Sequence, residues 1–237
     1  MTLKCAGATF PGASVNGAEN ITIEGATFTG RLIFSSCANI RATGLQFTAA
    51  GSTGLMARTC KNVEADGNLI TGSPAPLAFL DVVGLSVHDN VILDYSGNAG
   101  IAAYGGGDIA IVRNTVTGSR SPPDGVHPDG IQTANAQTGK VTINFNFVRY
   151  VGQGIFGGGT PDDFEAIGNQ VVVDYPNGLT WKSRNPARIG YNALIKLPSS
   201  LTWTPRFVNY GVLQSVPLAA AIDLGGNSVN GVPTAAK

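Results

Sequence analysis

The residues best suited to chemistry in this chain lie in one glycine- and proline-rich segment, TVTGSRSPPDGVHPDGIQT, at positions 115–133. It contains Asp124, His127 and Asp129, and His127 is one of only two histidines in the sequence. Imidazole and carboxyl groups are the side chains that most often transfer protons in enzymes. An aspartate before a glycine is also common in turns, and His127 beside Pro128 can simply cap one. The segment is therefore a candidate acid–base site with a structural alternative.

The composition excludes several classes of partner. Among 237 residues, 13% are charged, the net charge is zero, and no run of Lys and Arg occurs, so we expect no binding to nucleic acid. No apolar stretch approaches the roughly 20 residues that span a membrane, so we expect no membrane insertion. Three cysteines, an odd number, cannot form a full disulfide framework. The opening MTLKCAGATF shows no signal peptide, and we expect a virion component or an extracellular domain cut from a longer protein.

Residue types recur along the chain, and most of the spacings are 22–24 residues. An asparagine column reads Asn68, Asn90, Asn114, Asn146, Asn169 and Asn192. An apolar column opens each repeat and reads Ile21, Ile40, Val63, Leu85, Ile109, Val141 and Phe164. A second apolar column follows a glycine-rich turn and reads Leu32, Leu55, Leu77, Ile101, Ile131, Ile155 and Leu179. Fixed columns at such a period indicate a solenoid.

Each repeat contains short stretches of alternating apolar and polar residues, which is the pattern of β-strands. A unit of this length with three short strands is one coil of a parallel β-helix. A leucine-rich repeat can have units this long, but no L-x-x-L-x-L run recurs, and a β-sandwich would not repeat its columns. We therefore predict an all-β, single-stranded parallel β-helix of about eight to nine rungs over residues 1–195. Residues 196–237 lose the register and are expected to form an irregular C-terminal tail that packs on the helix.

One repeat is longer than its neighbours, because 17 residues separate Asn114 from Ile131 where other rungs have 9–11. Long loops on regular scaffolds often carry function. Counting from Ile131 places Asp129 in one column with Gln153 and Asn177, and His127 in one column with Tyr175. Alternation directs Gln132, Phe156, Tyr104 and Lys182 outward, with Arg184 on the same edge. The predicted surface strip contains His127, Asp129, Gln132, Tyr104, Gln153, Phe156, Tyr175, Asn177, Lys182, Arg184 and, from the loop, Asp124.

These groups suit a polysaccharide, because amides and acids bind sugar hydroxyls, aromatic rings stack on pyranose faces, and a cation binds a carboxylate. No Cys/His cluster has metal-binding spacing, and we expect neither a metal nor a cofactor. Calcium bound through Asp162 or Asp163 is left as an alternative.

The rung pattern of residues 1 to about 195 resembles the superfamily of right-handed parallel β-helix proteins that act on polysaccharides. That superfamily includes pectate lyases, polygalacturonases, alginate lyases and epimerases, and phage tailspikes. The phrase His127-Pro128-Asp129 looks like the Asp-Pro-His-Asp box of alginate epimerases in a different order, with Asp124 as the only candidate for the leading acid. It also looks like the Asn-Thr-Asp-Gly phrase of polygalacturonases, with Asp129 at the first acid. The next rung has no acid, although inverting hydrolysis needs a second carboxyl about 6.5–9.5 Å away.

The resemblance therefore favours β-elimination or epimerisation over hydrolysis, if the chain is an enzyme. His127 or Lys182 would then be the base, and Arg184, Lys182 or protonated Asp129 would neutralise the uronate carboxylate. Tyr104 or Tyr175 would protonate the leaving oxygen. The remaining strip residues would bind substrate.

Three functions remain open. The first is binding, and in some cases depolymerisation, of a bacterial surface polysaccharide by a virion or tailspike-like β-helix, with a homotrimer expected by analogy alone. The second is a uronate lyase or epimerase domain from a secreted enzyme. The third is a non-catalytic structural solenoid.

Overall fold

The computed structural model describes residues 1–48, 51–119, 128–135, 137–173, 175–197, 204–209 and 221–236. None of these residues is helical, and 30 short strands form three sheets. Successive strands along the chain belong to successive sheets, and each strand pairs in parallel with its equivalent one coil later. This is the arrangement of a parallel β-helix with three faces. The prediction of an all-β solenoid is confirmed.

Sheet 1 has ten strands. They are β1 (Thr2–Lys4), β4 (Glu19–Glu24), β7 (Ala38–Thr43), β10 (Lys61–Asp66), β13 (Val83–His88), β16 (Gly107–Val112), β19 (Thr138–Asn144), β22 (Asp163–Ile167), β25 (Arg188–Gly190) and β28 (Ile222–Asp223).

Sheet 2 has eleven strands, of which the last two are antiparallel to each other. They are β2 (Thr9–Phe10), β5 (Thr27–Phe28), β8 (Gln46–Phe47), β11 (Leu69–Thr71), β14 (Val91–Tyr95), β17 (Thr115–Gly118), β20 (Phe147–Val151), β23 (Gln170–Val173), β26 (Ala193–Lys196), β29 (Ser228–Val229) and β30 (Val232–Pro233).

Sheet 3 has nine strands. They are β3 (Ala13–Asn16), β6 (Leu32–Ser35), β9 (Thr53–Arg58), β12 (Ala75–Leu80), β15 (Ala99–Tyr104), β18 (Asp129–Ala134), β21 (Ile155–Gly157), β24 (Asn177–Trp181) and β27 (Arg206–Asn209).

The described strands make nine turns that contribute to all three sheets, and a tenth that reaches sheets 1 and 2. Within the segment predicted as a tail, β27, β28 and β29 pair in parallel with β24, β25 and β26 and so prolong the three sheets. The tail therefore contains strands that the sequence period did not predict. The sequence period did not extend to these strands because 35 residues separate Asn192 from Asn227, which is longer than the usual spacing of 22–24 residues.

The apolar columns of the sequence line the inside of the coil in the predicted register. Ile131 pairs with Ile101 and Ile155, and all three are completely buried. Phe28 stacks between Phe10 and Phe47, with ring centroids 5.5 and 5.3 Å apart. Parallel strands place like residues about 4.8 Å apart, so identical side chains pack on one another from rung to rung.

The asparagine column forms a continuous ladder inside the turn between sheets 1 and 2. Asn114 Nδ2 donates to Asn146 Oδ1 at 3.0 Å and to the Val87 carbonyl at 2.9 Å. Its Oδ1 accepts from the amide and the Nδ2 of Asn90 at 3.0 and 2.9 Å. The same pattern runs from Asn68 to Asn192 and continues to Asn227. Each amide therefore satisfies buried polar groups of the turn.

Candidate functional site

A column of glycines marks the corner where the chain enters sheet 3. A Cβ on Gly130 would lie 2.1 Å from Val148 Cγ1, and one on Gly154 would lie 2.1 Å from Val171 Cγ1. The side-chain direction at this position thus points into the coil, where valines of sheet 2 already fill the space. Ile131, the next residue along the strand, is also completely buried, so the simple alternation of side chains is interrupted at this corner. Of the residues just before these glycines, Asp129 is buried, whereas Gln153 and Asn177 are half-buried.

Asp129, Gln153 and Asn177 are those preceding residues, and they lie in one column on three consecutive rungs. The Gly130 amide donates to the Gln153 carbonyl at 3.0 Å, and the Gly154 amide donates to the Asn177 carbonyl at 3.4 Å. Two residues after each of these, Ile131 pairs with Ile155, and Ile155 pairs with Leu179. The structure therefore brings together the three residues that counting along the repeat had aligned. We call Asp129, Gln153 and Asn177 the acceptor column.

Each member of the acceptor column has one buried oxygen that accepts no hydrogen bond. These atoms are Asp129 Oδ1, Gln153 Oε1 and Asn177 Oδ1. Buried polar atoms in folded proteins nearly always have a partner, because an unsatisfied acceptor costs about 1–3 kcal/mol. Three such oxygens on adjacent rungs therefore form a column of hydrogen-bond acceptors that the described residues leave unused.

Asp129 is only 6% exposed. Burial raises the pKa of Asp129 from 3.8 to about 7. At neutral pH this carboxyl is therefore present in both its protonated and its ionised form, which is the property of a general acid or base.

The backbone of Asp129 is fixed from inside the coil and from the preceding rung. The Tyr95 hydroxyl, completely buried, donates to the Asp129 carbonyl at 2.6 Å. The Asp129 amide donates to the Asn98 carbonyl at 2.7 Å. Sequence reasoning did not identify Tyr95. The sequence did contain a signal for it, because Tyr95 occupies the repeat position at which the next rung has Gly118.

A second column, in which the side chains of Gln132 and Phe156 are half-buried, begins three residues further along sheet 3. Gln132 pairs with Ala102 on one side and with Phe156 on the other, as the register predicted. The Tyr104 hydroxyl donates to Gln132 Oε1. Burial, and then the nearby Asp129 carboxyl, raise the pKa of Tyr104. Tyr104, Gln132 and Phe156 are half-buried and border the acceptor column.

Lys182 and Arg184 lie at the other end of the sheet 3 strands. Lys182 is five positions beyond Asn177, which is about 16 Å along an extended strand. Arg184 is paired with Asp162 at 2.5 Å. Lys182 therefore follows in the column that contains Tyr104 and Ala134, and the charge of Arg184 is engaged by Asp162, while the roles of both cations toward a uronate stay predictions.

Four remaining site predictions have separate outcomes. Tyr175 is half-buried and lies two residues before Asn177, at the edge of the acceptor column. His127 and Asp124 lie outside the described residues. Asp162 accepts from the Gly139 amide as well as from Arg184, and Asp163 accepts from Asn185. Within the described ranges, no three His, Cys, Asp or Glu side chains are grouped to hold a metal ion.

The second histidine of the chain belongs to a charged network on the outer face of sheet 1. His88 contacts Asp89 Oδ2 at 2.8 Å and Glu64 Oε1 at 3.0 Å. Burial alone would lower the pKa of His88, but these two acidic partners outweigh it and raise the pKa. Arg113 also pairs with Asp89. His88 is therefore occupied by a structural network that lies away from the acceptor column.

The sequence matches the family model described as right handed beta helix region over residues 4–185. This chain belongs to the right-handed β-helix family. The match covers more than half of the chain and agrees with the three parallel sheets of the structure. Neither the comparison with curated proteins nor that with solved structures finds a significant match. In this β-helix protein, the part of the chain that the structure describes has no apolar helix of membrane-spanning length.

Proposed function

We propose that this β-helix binds a polysaccharide along the acceptor column and the adjoining Tyr104, Gln132 and Phe156. The observation that carries the proposal is the set of three buried, unpartnered oxygens on consecutive rungs. Sugar hydroxyls donate hydrogen bonds, and a glycan chain presents them at repeated intervals. Phe156 and Tyr104 add aromatic surface beside these acceptors, which suits the apolar face of a pyranose ring.

The raised pKa of Asp129 favours an acidic glycan. A protonated carboxyl can donate a hydrogen bond to a uronate carboxylate, which an ionised Asp129 would repel. Binding of acidic polysaccharides should therefore weaken as the pH rises through about 7. Asp129→Asn keeps a neutral donor at this position, and it should bind with much less dependence on pH.

A uronate lyase or epimerase is the second candidate, because Asp129 can exchange a proton near neutral pH. Elimination needs a base and a group that neutralises the uronate carboxylate, and Asp129 in its neutral form can fill the second role. His127 as the base remains a prediction. Hydrolysis by two carboxyls has less support, because the two rungs after Asp129 place amides in its column.

The experiment is incubation of the full chain with alginate, polygalacturonate, hyaluronan, dextran and galactomannan, followed by chain length and ultraviolet absorbance. Shortened chains with new absorbance from unsaturated uronates would establish a lyase, and Asp129→Ala, which removes the group proposed to neutralise the uronate carboxylate, should then lose activity. Shortened chains without absorbance would indicate hydrolysis. Retention of the protein by a glycan that it does not shorten would establish a binding module. No retention by any glycan would reject the proposal and leave a structural solenoid.

A location on a virion or outside the cell, and assembly as a homotrimer, belong to the same proposal. Light scattering after size-exclusion chromatography measures the subunit number. A trimer would support a spike-like particle, whereas a monomer would favour an enzyme domain.

A further inference from the structure

Two exposed aromatic residues stand on the turn between sheets 1 and 2, immediately before the asparagine ladder. Phe145 precedes Asn146 and is 59% exposed, and Tyr191 precedes Asn192 and is 63% exposed. This turn is a different corner of the coil from the acceptor column, which lies between sheets 2 and 3. Burial in the core therefore does not explain either ring.

The backbone at both positions is left-handed. Phe145 has φ +57° and Tyr191 has φ +56°, and the equivalent glycines Gly67, Gly168 and Gly226 share this region. Glycine adopts such a conformation without cost, whereas a bulky side chain there is an outlier. The chain thus carries aromatic rings where glycine would fit the backbone better. Asp89 (φ +57°) and Arg113 (φ +56°) share this position on other rungs, so the left-handed backbone belongs to the turn, and what distinguishes Phe145 and Tyr191 is their aromatic side chains.

Each ring covers the glycine of the next rung. A Cβ on Gly168 would lie 2.5 Å from Phe145 Cδ1, and one on Gly226 would lie 2.4 Å from Tyr191 Cδ1. Glycines at these positions therefore make room for the rings. Phe145 and Tyr191 are two rungs apart, which is about 9.6 Å along the helix axis.

Polar groups adjoin the pair on the preceding rungs of the same column. Arg113, 56% exposed at its side chain, pairs with Asp89 at 2.7 Å. Arg113 occupies the same turn position one rung before Phe145, and Asp89 occupies it two rungs before, so this ion pair precedes the two rings in one column. A partner protein would be expected to cover a continuous apolar patch, whereas here two isolated rings are separated by a glycine and bordered by an ion pair.

We propose that Phe145 and Tyr191 form a second glycan-binding surface, on which two pyranose rings of one chain stack along the helix axis. The inference rests on the proposed function for the class of ligand, but it concerns a separate corner of the molecule. Aromatic rings contribute flat apolar surface with little conformational entropy to lose.

The test compares the Phe145→Gly/Tyr191→Gly variant with the wild type by affinity electrophoresis in gels containing each polysaccharide of the panel. We expect at least a fivefold weaker affinity, and an unfolding temperature equal to or above that of the wild type because the backbone strain is relieved. Val83→Ala, which alters an exposed apolar residue on sheet 1, is the control and should bind normally.

A second variant separates stacking from simple coverage of the glycines. Phe145→Leu/Tyr191→Leu keeps apolar side chains over Gly168 and Gly226 but removes the planar rings, and we expect it to lose affinity as the glycine pair does. Wild-type affinity in either variant would overturn the inference. If affinity survives in the glycine pair but is lost when the acceptor column is altered, the proposed function stands and this inference alone fails. If the wild type binds no glycan, both the proposed function and this inference are wrong.

Discussion

Tyr95 donates its hydroxyl hydrogen to the backbone carbonyl of Asp129 at 2.6 Å, from inside the coil. Tyr95 is completely buried in the core, so it holds the backbone of Asp129, the candidate acid, from inside the coil. Tyr95→Phe leaves the Asp129 carbonyl without this donor, so we expect the free energy of unfolding to fall by about 1–2 kcal/mol. Urea unfolding measures the change.

Tyr104→Phe, which removes a hydroxyl from a half-buried surface residue, is the matched control, and it should lower the free energy of unfolding by less than about 0.5 kcal/mol. Equal losses would contradict the account.

The stability of the protein should depend on pH through Asp129. Burial raises the pKa of this carboxyl from 3.8 to about 7, so the folded state holds a proton that the unfolded state has released between these values. Stability from this group is therefore complete below about pH 4 and is lost as the pH rises to about 7. The corresponding loss is on the order of 4 kcal/mol.

Asp129→Asn should remove that dependence. Unfolding by urea at pH 4 and pH 8 is expected to show a small difference from the wild type at the lower pH and a more stable variant at the higher pH. Asp94→Asn changes an exposed aspartate on sheet 2 and serves as the control. A wild type and an Asp129→Asn variant with parallel pH profiles would show that Asp129 is not buried as the structure has it.

The unpartnered oxygens of the acceptor column should reduce stability in the absence of ligand. Gln153→Met and Asn177→Leu replace buried acceptors by apolar groups of similar size, and each should raise the free energy of unfolding by roughly 1 kcal/mol. For a chain of this length that corresponds to about 2–4 °C in the thermal midpoint. Gln170→Met, at an exposed position of sheet 2, should leave the midpoint unchanged. Lower midpoints in the first two variants would indicate that these oxygens have partners in solution.

The buried asparagine ladder should contribute far more to the free energy of unfolding than the exposed asparagine pair formed by Asn39 and Asn62. Asn114→Ala leaves the Val87 carbonyl and the Asn90 amide without partners inside the coil, so we expect a loss of roughly 2–4 kcal/mol. Asn62 donates to Asn39 on the surface, and Gly84 occupies its position one rung later. Asn62→Gly should therefore cost less than about 1 kcal/mol. Similar losses in urea unfolding would show that the buried ladder has no special role.

The fold could be predicted from the sequence because each coil repeats the same columns. Residues such as Ile131 and Asn114 recur at one position per rung, and parallel stacking places equal positions side by side. The continuation through Asn227 was not predicted, because the last coil contains 35 residues between ladder asparagines. A periodic signal identifies regular rungs and is lost where an insertion lengthens one of them.

The alignment of Asp129 with Gln153 and Asn177 was also predicted, since it requires only counting from Ile131. The burial that raises the Asp129 pKa was not, because it depends on groups packed around the carboxyl in three dimensions. Arg184 was placed on the site by strand counting, yet its charge pairs with Asp162 across the turn. Phe145 and Tyr191 were overlooked, although Gly168 occupies the same position on the rung between them and Gly226 on the rung after Tyr191.

Glycan affinity of the acceptor column tests the central claim most directly. Affinity electrophoresis would compare the wild type, the Gln153→Met/Asn177→Leu variant and the Gln170→Met control in gels containing the acidic and neutral polysaccharides. The account predicts retardation of the wild type and the control by at least one polysaccharide. The double variant should bind at least tenfold more weakly while unfolding at a higher temperature. Undiminished retardation of the double variant would contradict the assignment of the acceptor column as the glycan-binding site.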